Sequence, residues 1–413
     1  IMKIYKFGGS SLDSKEKIKR ICEQLKGEED FALVVSAPGD TTNRILAYLN
    51  GADVEPFSLC EELADYIPPR SSRKWESVVE EFDSLIKIRP KISSREIDAA
   101  ILATGERLSG LIMEGALCDE GIDATYVDFY EKRFPLVLEG DPLNAAIDYE
   151  ETRRRWRRLR LEDNLIFPGF GGIGKGESVM LLGRGGSDTA AMAHGYGAGA
   201  REIYLCTNID GIKNAPPEIV KDSATVPELS IEAARDAGYF DMKLPGSRTI
   251  EPLEKLNREG IEARCIITHS MNIRGNRTEI KKRCEKSYTL VGGRDVMESE
   301  CTSLRDLMKL EERQVDYAVV GGRGNLRVFI PCEHAHEVSG SGEYALIGAV
   351  SQEFEHQLGI SSRLTNALRR EGINILYNFD PSRISVGYVI ERRDKQRGIR
   401  TLYDELIAKD RAE

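Results

Sequence analysis

The sequence predicts an α/β fold, a sandwich in which helices cover a mostly parallel sheet, followed by a smaller α+β region. Strand-like and helical segments alternate from the N-terminus, which is the pattern of parallel strands joined by crossover helices. The length of 413 residues suggests two or three domains. A composition of 41% hydrophobic and 31% charged residues supports packed cores and a solvated surface, and excludes a disordered or collagen-like chain.

The first elements set this pattern. Residues 3–7 form a strand-like run, 15–25 have the amphipathic spacing of a helix, 31–36 form a second strand, and a helix begins near Thr41. A parallel pair of strands with a crossover helix follows from this order.

A long helix is predicted over 94–117, because apolar residues such as Ile101 and Leu108 recur near helical spacing. This helix carries Gly105 and Glu106 in its middle. The strands predicted after it lie at 124–129, 164–167, 178–182, 202–206 and 263–267.

The charged run EIKKRCEK ends the first block, and we predict a domain boundary between residues 286 and 287. The region 287–413 should be α+β, with its clearest strand, helix, strand, strand pattern over 344–390. Its predicted elements are strands at 317–320, 326–330, 373–377 and 385–390, and helix over 351–358 and 361–370.

Charge and composition exclude several classes of function. With 58 basic and 68 acidic side chains the formal charge is -10, which argues against delocalised binding to nucleic acid or to an anionic membrane. No run approaches the roughly 20 apolar residues of a spanning helix, and no signal-peptide pattern precedes the first strand, so we expect a cytoplasmic protein. The 8 cysteines include no CxxC pair, so free thiols and no metal centre are predicted.

Six arginines surround Trp156 within 153–160 and superficially resemble a nucleic-acid patch. Acidic residues flank them, and arginines at adjacent positions wrap around a helix rather than share one face. We therefore predict a solvated or subunit-facing helix.

The first glycine-rich segment is KFGGSS at 6–11, directly after the first strand. Glycines let the backbone approach a ligand closely, and free amides at a following helix start bind phosphate oxygens. Lys6 would bring a compact positive charge to the same place. A simple turn with a surface lysine is the alternative for this segment alone.

The second segment, PGFGGIG at 168–174, has the spacing GxGxxG of a dinucleotide-binding loop. A strand-like run follows it instead of the helix whose N-terminus would hold a pyrophosphate. Lys175 is followed by Gly176 rather than Ser or Thr, so a Walker A loop is excluded as well.

The third segment, GRGGSDT at 183–189, lies between a strand and a helix of small residues. Arg184 offers a fork for a carboxylate or phosphate, and Ser187 and Asp188 add a hydroxyl and a carboxylate at the helix start. An N-cap role accounts for Ser187 or Asp188 alone but not for the arginine between glycines.

Eight segments carry a resemblance to a known family: KFGGSS (6–11), VVSAPGDTTN (34–43), GERLS (105–109), FPGFGG (167–172), LGRGGSDTAA (182–191), NIDGI (208–212), GISSRL (359–364) and EGINI (371–375). The first six resemble motifs of aspartate kinases of the amino-acid kinase superfamily, over about the first 280 residues. The last two lie in the tail, which resembles the regulatory ACT domains of that family, with a second ACT unit at about 344–413.

The resemblance implies transfer of a phosphoryl group from ATP to L-aspartate, giving 4-phospho-L-aspartate and ADP at the first step of lysine, threonine and methionine biosynthesis. It assigns the transferring phosphate to Lys6 and the amides of Gly8 and Gly9, with Ser10 beside them. Asp188 would orient the lysines. A carboxylate nucleophile is already ionised at pH 7, so no general base is required.

For aspartate, the resemblance implies that Arg184 binds the α-carboxylate and that Glu106 pairs with the ammonium. The reacting carboxylate would be positioned by Ser36, Thr41 and Ser187.

For ATP, the resemblance implies contacts from a further set of residues: Thr207, Asn208, Asp210, Lys213 and Lys243. Asn208, Lys213 and Glu218 depart from the residues usual in the family, so the nucleotide half is expected to differ in charge. Mg²⁺ is expected to arrive with ATP.

The implied partners are L-aspartate, ATP and an amino-acid effector, lysine or threonine, in a homodimer or higher homo-oligomer without nucleic acid or membrane. A sibling kinase acting on glutamate or acetylglutamate remains an alternative. A catalytically dead amino-acid sensor is a second one.

Overall fold

The structure is a computed structural model that describes residues 2–67, 71–159, 164–242, 244–301, 303–312, 315, 317–320, 327–332 and 339–409. Across these ranges, no helix combines the length and the apolar character needed to cross a membrane. The predicted residues Lys243 and Arg160 lie outside the described residues.

The strands of the described chain follow the predicted alternation with helices. They are β1 (Lys3–Phe7), β2 (Phe31–Val35), β3 (Ala124–Tyr126), β4 (Val137–Asp141), β5 (Asn144–Ile147), β6 (Asn164–Pro168), β7 (Gly171–Gly174), β8 (Val179–Leu181), β9 (Glu202–Thr207), β10 (Glu228–Ser230), β11 (Arg264–His269), β12 (Asn272–Lys281), β13 (Leu290–Ser299), β14 (Ala318–Val320), β15 (Arg327–Pro331), β16 (Gly340–Val350), β17 (Ile375–Asn378) and β18 (Ser385–Glu391).

The helices are α1 (Lys15–Leu25), α2 (Thr41–Leu49), α3 (Ser58–Glu62), α4 (Ser72–Ile88), α5 (Arg95–Leu102), α6 (Thr104–Asp119), α7 (Tyr149–Trp156), α8 (Gly186–Ala198), α9 (Ile231–Tyr239), α10 (Ser247–Arg258), α11 (Leu304–Glu312), α12 (Ile360–Arg370) and α13 (Lys395–Tyr403).

The chain divides into two compact units. The first contains residues 1–211 and 248–282, and the second contains 212–247 and 283–413. The sequence predicted one boundary, between 286 and 287. The division differs from that prediction because 212–247, which contains α9, groups with the C-terminal residues.

The main sheet of the first unit runs in the order β12, β11, β9, β1, β2, β6, β3. All neighbours except β12 and β11 are parallel. Phe7 of β1 lies opposite Val35 of β2 and Cys206 of β9, and Val35 lies opposite Pro168 of β6. The carboxyl ends of these four strands therefore meet at one edge, where open α/β sheets bind ligands.

Successive side chains of β1 lie on opposite faces of this sheet, and both faces are covered by helices. Tyr5 and Phe7 pack into the core cluster that contains residues of α1 and α6. Ile4 faces the other way, toward α8, where a Cβ placed on Gly195 would lie 3.8 Å from the Ile4 side chain. Side chains two residues apart along a strand lie on the same face of the sheet. Lys6 is therefore on the face covered by α8, as Ile4 is. The predicted sandwich is confirmed in this unit.

The single helix predicted over 94–117 is wrong, because α5 ends at Leu102 and α6 begins at Thr104. The first turn of α6 packs against the loop after β2, where a Cβ placed on Gly105 would lie only 2.7 Å from Cβ of Ala37. The break places Glu106 in the first turn of a helix rather than in the middle of one.

A smaller sheet in the same unit has the order β5, β4, β7, β8. β7 and β8 pair antiparallel, so the GxGxxG-like segment leads into a hairpin. The prediction that a strand rather than a helix follows this segment is confirmed.

The arginine-rich segment forms α7, with Trp156 buried. Arg153 pairs with Glu259 and lies over the ring of Tyr196, and Arg154 and Arg155 pair with Glu151. These intramolecular partners agree with a solvated helix.

The second unit contains an antiparallel sheet in the order β14, β15, β13, β16, β18, β17. Two strand, helix, strand, strand runs build it, the first from β13 to β15 and the second from β16 to β18. The second run confirms the pattern predicted over 344–390. The helix predicted over 351–358 is wrong: Gln352–Glu355 is a 3-10 turn, and α12 begins after Gly359, whose φ of 74° is left-handed.

Candidate active site

The loops that follow β1, β2 and β6 are held together by main-chain hydrogen bonds. Ser36 N donates to Phe7 O at 3.1 Å, and Gly169 N donates to Val35 O at 2.8 Å. Gly39 N also donates to Gly9 O at 2.9 Å. The predicted loops therefore form one continuous wall at the carboxyl edge of the sheet.

Gly9 lies where only a glycine fits. A Cβ at this position would lie 2.6 Å from Ala37 O and 2.7 Å from Gly39 O. At Gly8 a Cβ would lie 3.3 Å from Nζ of Lys6, which places the lysine ammonium directly over this loop. The backbone of Gly8 and Gly9 thus lies beside the charge of Lys6. Their contact with a phosphate stays a prediction.

Lys6 pairs with Asp188, with 2.7 Å between Nζ and Oδ1. The lysine side chain is 13% exposed and the aspartate side chain 36% exposed, so the pair lies at the rim of the sheet edge. Asp188 is in the first turn of α8, where the helix dipole favours an anion. The N-terminus of α8 and the Lys6 ammonium therefore act on the same region, and both attract anionic oxygens.

Glu106 is buried, with 3% of its surface exposed. One carboxylate oxygen accepts the Ala37 N–H, and Oε2 is buried without a hydrogen-bond partner among the described residues. Burial raises the pKa of this carboxyl to about 8, although the Ala37 amide and the charge of Lys6 act in the opposite direction. A buried acceptor without a donor is costly, so this oxygen is suited to a cationic ligand group.

Of the three predicted hydroxyl contacts, those of Ser187 and Thr41 differ in their surroundings. Ser187 Oγ lies within 3.0 Å of the position that a Cβ on Gly169 would take, so its hydroxyl is at the end of β6. Thr41 is buried and its hydroxyl donates to Pro38 O at 2.6 Å. The hydroxyl proton is therefore already engaged in a hydrogen bond within the loop. Direct contact of Thr41 and Ser36 with a substrate stays a prediction.

Arg184 is exposed between Gly183 and Gly185, whose φ angles of 73° and 69° turn the chain sharply between β8 and α8. Contact of the Arg184 guanidinium with a substrate stays a prediction. Ser10 is exposed, and its carbonyl accepts a hydrogen bond from Lys17 Nζ at 2.9 Å.

The predicted nucleotide residues follow β9. Thr207 ends this strand, and its hydroxyl donates to Asn208 Oδ1 at 3.4 Å. Asn208 and Asp210 are exposed beyond the strand. Lys213 belongs to the second unit, where its Nζ donates to Thr225 Oγ1 at 2.8 Å.

Two residues of the site were not found from the sequence. Ala37 contributes only its amide, for which a sequence carries no side-chain signal. Phe170 adopts a left-handed φ of 65°, which is strained for a bulky side chain, and its carbonyl accepts the Leu182 amide at 2.9 Å. The position of Phe170 between two glycines is the feature of the sequence that could have indicated this unusual backbone conformation.

A lysine and a helix N-terminus that both attract anionic oxygens, together with a buried carboxylate, are typical of a site for an anionic substrate. The model of the amino acid kinase family matches residues 2–267, and the chain belongs to this family.

Among its relatives, aspartokinase 3 of Bacillus subtilis is 25% identical over 98% of this chain and 99% of the relative. The crystal structure of E. coli aspartokinase III in complex with aspartate and ADP (R-state) has a TM-score of 0.80, at 17% identity over 98% of this chain and 100% of that chain. The same enzyme in complex with lysine and aspartate (T-state) has a TM-score of 0.75, at 17% identity over 98% and 99%. The predicted resemblance and the fold class, including the C-terminal α+β domains, are confirmed.

Proposed function

We propose that this protein is an aspartate kinase, which transfers the γ-phosphoryl group of ATP to the β-carboxylate of L-aspartate. The aspartokinase relatives confirm the prediction of an aspartate kinase, and they favour neither a sibling acid kinase nor a dead sensor. The observation in the structure that carries the proposal is the Lys6 and Asp188 pair, together with the buried, unpartnered oxygen of Glu106, a carboxyl on which the charge of Lys6 acts.

Phosphoryl transfer is assisted by positive charge and hydrogen-bond donors rather than by a general base. The β-carboxylate of aspartate is ionised at pH 7 and attacks directly. Lys6, the amides of Gly8 and Gly9 and the N-terminus of α8 stabilise the charge that develops on the transferring group. Asp188 holds the Lys6 ammonium at 2.7 Å and so fixes its direction.

Aspartate is recognised through its α-ammonium and α-carboxylate groups. Glu106 is buried and its free oxygen accepts the α-ammonium, while Arg184, which is exposed, binds the α-carboxylate. Ser187 holds the reacting carboxylate at the end of β6. In this proposal the attacking oxygen is directed toward Lys6.

Magnesium enters with ATP. The described residues contain no group of three or more His, Cys, Asp or Glu side chains arranged to hold a metal ion. Our proposal is that Mg²⁺ enters as part of the substrate MgATP, bound largely by phosphate oxygens and water.

A panel assay tests the proposal. ADP release is measured with aspartate, glutamate and acetylglutamate, for the wild type and for Lys6→Ala. Release that depends on aspartate and falls in the variant supports the proposal. Release with glutamate or acetylglutamate but not with aspartate contradicts it.

The second unit is proposed to bind an amino-acid effector, lysine or threonine, at a pairing interface of a homodimer. The support is its two consecutive strand, helix, strand, strand runs and the lysine complex of the E. coli relative. Inhibition by millimolar lysine or threonine and a dimer by light scattering are the expected results. No binding of either amino acid in calorimetry contradicts the effector proposal.

A further inference from the structure

Two consecutive residues in the first turn of α10 contact the two ends of the segment 183–188, which joins β8 to the first turn of α8. Both α8 and the part of α10 from Arg248 onward belong to the first unit. Arg248 bonds to Leu182, the residue before the segment, and Thr249 bonds to Thr189, the residue after it. The stretch that carries three of the predicted site residues is therefore fastened at both ends by one helix.

Arg248 links the entry of this segment to the neighbouring hairpin. Its guanidinium donates to Leu182 O at 2.9 Å, to Ala145 O of β5 at 2.6 Å and, more weakly, to Asn144 Oδ1 at 3.4 Å. Burial lowers the pKa of the guanidinium, although the charge of Glu251 acts in the opposite direction. The three acceptors are neutral oxygens, so the rigid fork of the arginine fixes the distance between β5 and the segment rather than neutralising a charge.

Hydroxyl groups fasten the other end of the segment. Oγ1 of Thr189 lies 2.8 Å from Oγ1 of Thr249, and the two residues are 3% and 5% exposed. Thr189 Oγ1 also donates to Gly185 O at 3.3 Å. A hydroxyl has one proton to donate, so Thr249 is the donor to Thr189. The chain of hydrogen bonds that begins on α10 therefore ends on the backbone of the segment itself.

The segment is rich in glycine and depends on its neighbours for its shape. Gly185 has a left-handed φ of 69°, and a Cβ placed on it would meet no atom within 4 Å. Glycine has more backbone freedom than any other residue, so open surroundings leave such a turn several conformations. Anchors at both ends remove most of them.

The start of α10 is itself a fixed support. Ile250, Leu253 and Leu256 are at most 1% exposed, which holds one face of the helix in the core. At the other end of the helix, the side-chain amide of Asn257 donates to Leu253 O at 2.9 Å and to Ala263 O, directly before β11, at 3.0 Å. Bonds from Arg248 and Thr249 therefore connect the segment to a helix that is anchored along its length.

We propose that Arg248 and Thr249 are positioning residues for the segment that they hold. The inference rests on the proposed function, in which Arg184 binds the α-carboxylate of aspartate and Asp188 directs the Lys6 ammonium. Arg248 fixes the chain two residues before Arg184, so it acts on the affinity for aspartate. Thr249 fixes the chain one residue after Asp188, so it acts on the rate of phosphoryl transfer.

A double-mutant cycle on the full-length protein tests the contact of Arg248. Arg248→Met, which keeps a long side chain without the fork, should raise the aspartate KM at least tenfold and leave kcat within threefold. In an Arg184→Ala background the same substitution should change this KM by less than twofold, because the group that it positions is gone. Equal effects in the two backgrounds, or an unchanged KM in the single variant, overturn the inference.

A pair of variants tests the hydroxyl of Thr249. Thr249→Val keeps the shape of the side chain but removes the donor, and it should lower kcat at least fivefold with the aspartate KM within twofold. Thr249→Ser keeps the donor and should restore kcat to within twofold of the wild type. Equal kcat values in the two variants overturn the role of this hydrogen bond.

Arg153→Met is the matched control for Arg248→Met. The side chain of Arg153 is also largely buried in the first unit, and its Nη2 donates to Tyr196 O at 3.0 Å, near the opposite end of α8. This variant should lower the melting temperature without the rise in KM, and an equal rise in KM overturns the inference. If Arg248→Met does not fold, Arg248→Lys in both backgrounds replaces it, with the same criteria. A wild type inactive with every acid instead contradicts the proposed function.

Discussion

The affinity for aspartate should rise steeply with pH because of Glu106. Burial raises the pKa of this carboxyl from 4.5 to about 8, so we expect the unliganded protein to hold a proton there at neutral pH. The ammonium of aspartate binds only the ionised form well. Binding is therefore coupled to release of that proton.

The size of the effect follows from the pKa. At pH 6, two units below a pKa of about 8, about 1% of the sites are ionised, and at pH 8 about half are. The apparent Kd for aspartate should therefore fall roughly 50-fold between pH 6 and pH 8.

The stability of the free protein should have the opposite pH dependence. The folded-state pKa of Glu106 lies above its ordinary value, so the favourable contribution of its neutral form is fully present below about pH 4.5 and is lost as pH rises through about 8. Saturating aspartate should reduce this loss, because its ammonium stabilises the ionised carboxylate.

Calorimetry at pH 7 in two buffers of different ionisation enthalpy measures the proton release directly. About one proton per aspartate is expected. Glu106→Gln is the control, and its affinity should be weak and nearly independent of pH. A wild-type Kd that is flat from pH 6 to 8, or an unchanged slope in Glu106→Gln, refutes the reasoning.

Three further substitutions test the site and the core. Lys6→Ala should lower kcat by about two orders of magnitude, the usual loss of about 3 kcal/mol for one donor to a transition state, and an unchanged kcat in steady-state assays would contradict its role. Arg184→Ala should raise the aspartate KM at least tenfold with little change in kcat, because its contact exists in the ground state, and a normal KM would remove it from the substrate site. Gly110→Ala should destabilise the protein by about 1 to 3 kcal/mol in urea unfolding, because its Cβ would lie 2.1 Å from the Tyr126 ring, whereas Gly176→Ala, with open space around it, should be nearly neutral.

Elements with strong local patterns could be predicted from the sequence. The burial of Ile18, Ile21 and Leu25 on one face of α1 agrees with its apolar spacing, and β2 is buried at every residue, as expected for a strand inside a parallel sheet. The first motif loop could be located because a lysine and two glycines at the end of a strand are typical of a loop that binds phosphate. The register of β1 with β2 then brings this loop beside the one that follows β2.

Features that depend on tertiary contact could not be predicted. The break between α5 and α6 depends on the close approach of Gly105 to Ala37, which no local pattern records. The grouping of α9 with the C-terminal unit depends on the packing of Phe240 and Met242, which follow this helix, over three glycines that lie far apart in sequence. The hydrogen bond that the Ala37 amide donates to Glu106 could not be predicted either, because a main-chain amide has no signal in the sequence.

The most direct test of the central claim is identification of the product. The protein is incubated with MgATP, L-aspartate and hydroxylamine, and the hydroxamate is identified by mass spectrometry against α- and β-aspartyl standards. The account predicts β-aspartyl hydroxamate that requires ATP and is nearly absent with Lys6→Ala. An α-aspartyl hydroxamate, or none with aspartate while glutamate gives one, would contradict it.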